Sequence, residues 1–470
     1  MSAPQLHVEP VALTPHTLLA LASRWPERYP VLLDSAAQGA LSHFSMLAAL
    51  PRATLTMDAA GHLHGFGRDT SSDQGFLTTL EQLWNQAAKD APVRPSHLPF
   101  AGGWIVYLGY ELAREVEPAL RPFWPAASLA DARPVACAMR VPAALLQGEG
   151  GSFLVTEPGV TAAERARILD DVRQVGDPAV ARQLAAADAS AVPLELAEES
   201  PDAYLARVVR AQEYIRAGDI YQANLSRPWR ARLPDNYSLA ALYRRLRTTN
   251  PAPFAALAQF GDFTILSSSP ERLLQIRGRR VDTRPIAGTH PRGATAADDR
   301  ALAAALIAHP KERAEHVMLI DLARNDLGRV CVGGSVKVDE YMAVETYAHV
   351  HHIVSNVTGE LRPEVTPIEA LRAVFPGGTI SGVPKVRCMQ IIAELEAAPR
   401  GPYTGSLGYL NHDGWGDFNI LIRTISVLGR QLELRAGAGI VADSRPEREL
   451  EESRAKARGM VLALAPRMAS

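Results

Sequence analysis

The sequence predicts an α+β fold: large mixed or antiparallel β-sheets packed in layers and flanked by helices. Two observations carry the prediction. Short apolar, β-prone runs bounded by Gly, Pro and Asp recur along the whole chain, often as hairpin-like neighbours, and helical stretches stand between them. No repeat with a period of about 20 to 50 residues and no low-complexity tract points to a solenoid or an array. With 470 residues, 47% of them hydrophobic, the chain can bury a large core and suggests two or three domain-sized units.

The first half supplies "YPVLLDS", "FAGGWIVYLGYE" and "VACAMRVPAALLQ", each read as strand joined to its neighbours by turns, and then a helix over "AAERARILDDVRQV". Residues 176–200 are rich in Ala and acidic side chains with no apolar period, which predicts a mobile connection. It would divide a β-rich region, 1–175, from a catalytic region, 201–470, the two intertwined in one fold. "SPDAYLARVVRAQEYIRAGD" follows as an amphipathic helix, with Ser200 placed to cap it and Gly218 to end it. Beyond it, "FTILSSSPERLLQI", "GSLGYLN", "FNILIRTISVL" and "QLELRAGAGIVA" read as strands, alternating with helices around 298–327, 366–374 and 384–396.

Charge narrows the function. Lys plus Arg number 49 against 51 Asp plus Glu, a net charge of −2, so there is no electrostatic argument for nucleic acid or an acidic membrane. Cys137, Cys331 and Cys388 are far apart and form no C-x-x-C pair, which supports neither a disulfide framework nor a structural zinc site. No basic head precedes an apolar core at the N-terminus, and no apolar run approaches the roughly 20 residues of a membrane span. Small-molecule chemistry in the cytoplasm is the expectation.

Several constellations suit such chemistry. In "RPERELEESRAK", Glu449, Glu452 and Lys456 fall within about one 60° sector of a helix, directly after Gly437 and Gly439 at the end of a strand. Missing side chains there allow a ligand or another backbone to approach closely. Glu312 and Glu315 form a second i, i+3 pair on the helix "KERAEHVMLIDLARNDLGR". Four helix-borne carboxylates suit Mg²⁺, a hard ion that takes a few carboxylate oxygens, waters and the oxygens of an anionic substrate. Ion pairs in solvent with Lys311, Arg313 or Arg324 are the alternative. In "YAHVHHIVSNVTGE", His349 and His351 would face one way from a strand and His352 the other. "FPGGTISGVPK" joins Thr379 and Ser381 to a helix opened by Pro384, and Arg423 in an apolar strand needs a buried carboxylate or an anionic substrate.

Taken together, "GDIYQANLS", "SSSPERLL", "TRPIAGT", "KERAEHVMLIDLARNDLGR", "HHIVS", "GGTISGVPK", "RGPYTGSLGY", "RTI" and "AGAGIVADSRPERELEESRAK" resemble the chorismate-utilising enzymes. These are the synthase subunits of anthranilate synthase and aminodeoxychorismate synthase, with isochorismate and salicylate synthases as relatives. The similarity runs from about residue 200 to 465, and "LLDSA" and "PFAGGWIVYLGYELAR" extend it more loosely into the first half. It implies Mg²⁺ bound chiefly by Glu315 and Glu452, with Glu312 and Glu449 holding its waters. It further implies a ring carboxylate near Gly437, Ala438 and Gly439, and an enolpyruvyl carboxylate held by Tyr403 and Arg423. Thr379, Ala287 and Thr289 would line the substrate, Lys456 would act at the departing hydroxyl or as a base, and His352 would serve proton transfer or orientation.

Two positions bear on the reaction. Relatives that add water usually carry lysine where Gln222 stands; a neutral amide suits ammonia, which is already a nucleophile. Many aminodeoxychorismate synthases resemble "PIKGT", whose lysine forms a covalent intermediate, whereas this chain has Ala287, as anthranilate synthases usually do. "HVHHIVS", "FPGGTISG" and "DFNILIRT" resemble the aminodeoxychorismate branch instead. The resemblance therefore implies amination of chorismate at C4, on the way to p-aminobenzoate and folate. Amination at C2 with loss of pyruvate, giving anthranilate for tryptophan synthesis, is the alternative; a non-catalytic chorismate-binding regulatory protein is the reading outside enzymes. No G-x-C-x-G nucleophile motif is present, so the ammonia is expected from a separate glutamine amidotransferase subunit. Relatives hold tryptophan near motifs similar to "LLDSA" and "NPAPF"; Ser35, Pro251 and Phe254 match in part, and an apolar core cluster is the competing expectation there.

Overall fold

The computed structural model describes residues 5–464 except 15, 38–43, 67, 71–73, 90, 125–132, 178–193, 236, 294 and 347–349, and gives the backbone alone for 68–70 and 289–291. Among the described residues, two antiparallel sheets of twelve strands each lie face to face. Val31, Met46, Ala144, Ala256 and Ile265 of one sheet interdigitate with Ile105, Tyr107, Met139, Leu407 and Tyr409 of the other. Such a doubly covered sheet needs apolar residues on both faces of its strands, and the outer faces are covered by helices. Helices Thr17–Arg24, Ala162–Val175, Leu239–Thr249 and Pro446–Leu464 bury Leu21, Ile168, Leu242 and Met460 against the first sheet. Helices Phe76–Ala88, Pro310–Gly328, Pro367–Val374 and Lys385–Glu396 bury Leu80, Leu327, Leu371 and Met389 against the second. The layers run helices, sheet, sheet, helices.

Strands from both ends of the chain pair directly. Val31–Asp34 pairs with Phe254–Phe260, and Gly103–Leu108 pairs with Ser406–Asn411. Residues 178–193 of the expected mobile connection lie outside the described residues; beyond them Ala197–Glu198 pairs with Trp229 and Arg230. At the helix that follows, Ser200 occupies the cap position without a side-chain cap bond, and Pro201 opens the first turn. Gly218, with φ of 82°, stands just past the helix end as expected.

Four continuous elements of the sequence reading are broken in the structure. "VACAMRVPAALLQ" is two strands, Ala136–Val141 in one sheet and Ala143–Gly148 in the other, divided at Pro142. "FTILSSSPERLLQI" likewise crosses between sheets at Pro270 and Glu271, and "FNILIRTISVL" crosses at residues 420–423. In the first two, proline lacks the N–H a ladder needs, so the pairing stops where the chain changes sheet. The helix expected over 298–327 is two, Ala296–Ala308 and Pro310–Gly328, because Pro310 cannot continue the first.

Candidate active site

Two of these crossovers lie side by side and make the floor of a cleft. Ser267 pairs with Thr424 in one sheet, Arg272 pairs with Asn419 in the other, and the Ile420 N–H donates to the Glu271 carbonyl at 3.0 Å. Glu271 and Arg423 therefore occupy neighbouring bends, where neither strand's pleat dictates side-chain direction. Arg423 takes a left-handed φ of 51°, an uncommon conformation for a side-chain-bearing residue that is here fixed by the Ser268 N–H donating to its carbonyl at 3.1 Å. Glu271 is buried, and burial pushes its carboxyl up to about 7 even though Thr379, the Ile286 backbone, Arg423 and Lys456 all act to lower it. A carboxyl half protonated near neutrality beside two cations is placed for proton transfer.

The carboxylate helices meet at the rim. Glu315 is raised to about 7, first by burial and then by Glu312, with Glu452 and Glu449 adding to the repulsion that Lys311 only partly offsets. Glu449, buried, is raised by desolvation and by Glu452. All four expected carboxylates thus share one electrostatic neighbourhood. Lys456 Nζ lies 2.7 Å from Glu452 Oε1, and 42% of the lysine side chain stays open to solvent in the cleft. Among the described residues no three His, Cys, Asp or Glu side chains converge as a ready-made metal cage. Four carboxylates only partly offset by Lys311 and Lys456, without a closed cage, fit Mg²⁺, which takes one or two carboxylates and fills its shell with waters and substrate oxygens.

One wall is the strand Gln431–Ile440. Gly437 and Gly439 pair with Ser226 and Asn224 of strand Gln222–Arg232. A methyl group at Gly437 would come within 2.0 Å of the Leu225 carbonyl, and one at Gly439 within 2.4 Å of Gln222 Nε2. The first glycine accommodates the neighbouring backbone; the second accommodates the amide of Gln222, a buried side chain whose Oε1 has no hydrogen-bond partner among the described residues. Ala438, between them, packs into an apolar cluster with Tyr204 and Leu450 and faces away.

Tyr403 is held from behind. Its ring lies 5.6 Å from the Arg400 guanidinium, which donates to Glu396 at 2.7 and 3.0 Å inside a fully buried network completed by Arg435. Glu111, from the first half of the chain, accepts the N–H groups of Arg400 at 2.6 Å and Gly401 at 3.0 Å, which fixes the turn that presents Tyr403. Tyr403 itself senses Lys456 across the cleft.

His352 is buried on strand Val350–Glu360 and is pushed down to about 3, mainly by desolvation and then by Arg423, so its imidazole is neutral. Its Nδ1 lies 3.4 Å from the Gly288 carbonyl. As expected from the strand period, His351 faces the other way, pairing with Asp299 and Thr346 at 2.9 Å each; His349 lies outside the described residues. Ala287 precedes a bulge at Gly288, whose α-carbon backs onto Glu312, while the Thr289 backbone pairs with His352 and its side chain lies outside the described residues. Away from this cleft, Ser35 and Phe254 adjoin through the pairing of Asp34 with Ala255. There the Ser35 hydroxyl donates to the Phe44 carbonyl at 2.8 Å, and Asp34 is engaged by Ser45, Tyr243 and Arg247. Pro251 lies just before this strand, in the turn that leaves helix Leu239–Thr249.

Sequence reasoning passed over Glu271 and Glu111. A charged residue after "SSSP" in an otherwise apolar run was the available signal for the first; nothing local marks the second, whose partners are about 290 residues away.

Comparison with known proteins identifies the family. The family model described as chorismate binding enzyme matches residues 34–462. Anthranilate synthase component 1 of Thermus thermophilus is 41% identical over 95% of this chain and 94% of its own length. Aminodeoxychorismate synthase component 1 of Bacillus subtilis is 49% identical over 56% of each chain. The crystal structure of anthranilate synthase component I from Streptococcus pneumoniae superimposes with a TM-score of 0.75 and 31% identity, covering 90% of this chain and 93% of that one.

Proposed function

The chain belongs to the chorismate-binding enzymes, in the group of anthranilate synthase component I and aminodeoxychorismate synthase, and from this premise we propose that it aminates chorismate at C4. The observation that carries amination is Gln222: a buried neutral amide lies against Gly439, where a base would be needed to activate water. Position C4 is supported by the motifs around His352, Thr379 and Arg423, and the product would be 4-amino-4-deoxychorismate. Amination at C2 is the second reading, favoured by Ala287 and by the full-length resemblance to anthranilate synthases.

In this mechanism Arg423 and Tyr403 hold the enolpyruvyl carboxylate, and the strand at Gly437–Gly439 faces the ring carboxylate. Glu315 and Glu452 would hold Mg²⁺, with Glu312 and Glu449 holding its waters; bound there, the ion would supply Lewis-acid neutralisation of the substrate's oxygens. Glu271 gives its proton to the departing hydroxyl as the C–O bond breaks, so that oxygen leaves as water. Ammonia forms the C–N bond, and the new nitrogen sheds one proton. Lys456 places positive charge beside the departing oxygen. Neutral His352 orients the site rather than acting as an acid, since a group near 3 carries no proton to give at neutral pH. Ammonia would come from a separate glutamine amidotransferase subunit, and aromatisation to p-aminobenzoate would need a lyase.

Purified chain, chorismate, MgCl₂ and ammonium at mildly alkaline pH test this reading. Chorismate should be consumed only when both magnesium and ammonium are present. Consumption that needs magnesium but not ammonium would contradict amination.

A further inference from the structure

Beside Glu271 lies a small cavity of about 20 Å³ whose lining does not include Lys456 or Arg423. Its lining includes Glu271, Arg272, Leu322, Ala323, Asp326 and Thr379. That volume admits one water, which needs about 10–15 Å³ by this measure and two or more polar partners. Two such partners are present: Glu271 Oε1 and Thr379 Oγ1 are each shielded from solvent and have no hydrogen-bond partner within 3.5 Å among the described residues, although the Thr379 hydroxyl is near enough to help lower the Glu271 carboxyl. A buried oxygen left without a hydrogen bond is destabilising, so two of them on residues that line one cavity call for an occupant.

Glu271 has a need that matches this occupant. On the function proposed above, on which this inference rests, it loses one proton to the departing hydroxyl in every turnover and must regain one. The cavity that Glu271 lines is also lined by Asp326, itself paired with Lys385 at 2.9 Å.

We propose that this cavity binds an ordered water between Glu271 Oε1 and Thr379 Oγ1, and that this water returns a proton to Glu271 after each turnover. The water donates one proton to the carboxylate and takes one from the Asp326 side, equal in number to the proton shed by the new C–N nitrogen. No proton is consumed overall.

A high-resolution crystal structure of the ligand-free protein gives the first readout: a water within hydrogen-bond distance of both oxygens is expected, and a cavity without one overturns the proposal. The second readout fills the cavity from the helix side with Ala323→Leu, or with the milder Ala323→Val should the leucine variant not fold. The expected result is a fall in kcat of about tenfold or more, with an increased solvent deuterium isotope effect and an unchanged KM for chorismate. A folded variant with unchanged kcat and isotope effect would overturn the relay. Should the wild-type protein not consume chorismate at all, the proposed function fails, while the crystallographic readout still decides whether the water site exists.

Discussion

Glu271 and Glu315 both titrate near 7, for different reasons that lead to different predictions. Glu271 is raised by burial against the pull of Arg423 and Lys456, so it is an acid kept ready in a cationic site. Glu271→Gln should lower kcat by about 10²- to 10⁴-fold with little change in KM; a variant within severalfold of wild type would remove it from the chemistry. Because the protonated form is the working one, kcat should fall as pH rises through about 7. Glu315 is raised by burial and by other carboxylates, the signature of a site that lacks a cation's charge. Glu315→Gln and Glu452→Gln should each abolish magnesium-dependent turnover while thermal stability holds, and near-normal rates in either would sink the metal assignment. The carboxylates were legible in the sequence because helical spacing places them without knowledge of the rest of the fold. Glu271 was not: its role depends on a change of sheet at Pro270 that the alternating pattern, apolar on both sides, does not register.

At the scale of elements the same limit recurs. A strand period of two continues through "VACAMRVPAALLQ", although Pro142 sends its halves into different sheets. Where a run is buried on both faces the pattern cannot say which sheet it joins, and proline was the only sign. Near this crossover, Glu157 joins strands of both sheets by accepting from Arg140 and, at 2.9 Å, from His412. Burial alone would raise its carboxyl, but the hydrogen bonds and charges of His412 and Arg140 outweigh it and hold the group below its ordinary 4.5. A carboxyl lowered in the folded state contributes stability that is complete above about 4.5 and is lost as pH falls through the lower folded value. Glu157→Gln should therefore cost about 1–3 kcal/mol at pH 7 and much less near pH 3. Urea denaturation at the two pH values measures this, and an equal cost at both would show that packing, not the ionised carboxylate, is what the substitution removes.

Across the whole molecule, the layered α+β class followed from local signals, whereas the order of the strands did not, because antiparallel pairs such as Val31–Asp34 with Phe254–Phe260 join residues more than 200 positions apart. These pairings also bear on Tyr403, whose supporting turn is pinned by Glu111 from the other half of the chain. Residues 201–470 expressed alone should lose both strand partners and the Glu111 clamp; co-expression with residues 1–200 should restore a soluble protein that unfolds in one transition, and a folded, active C-terminal fragment would contradict this. The reaction itself is decided by its product. After incubation with chorismate, magnesium and ¹⁵N-ammonium, ¹⁵N-labelled p-aminobenzoate should appear only once an aminodeoxychorismate lyase is added; labelled anthranilate without the lyase would place the amino group at C2 and contradict the account.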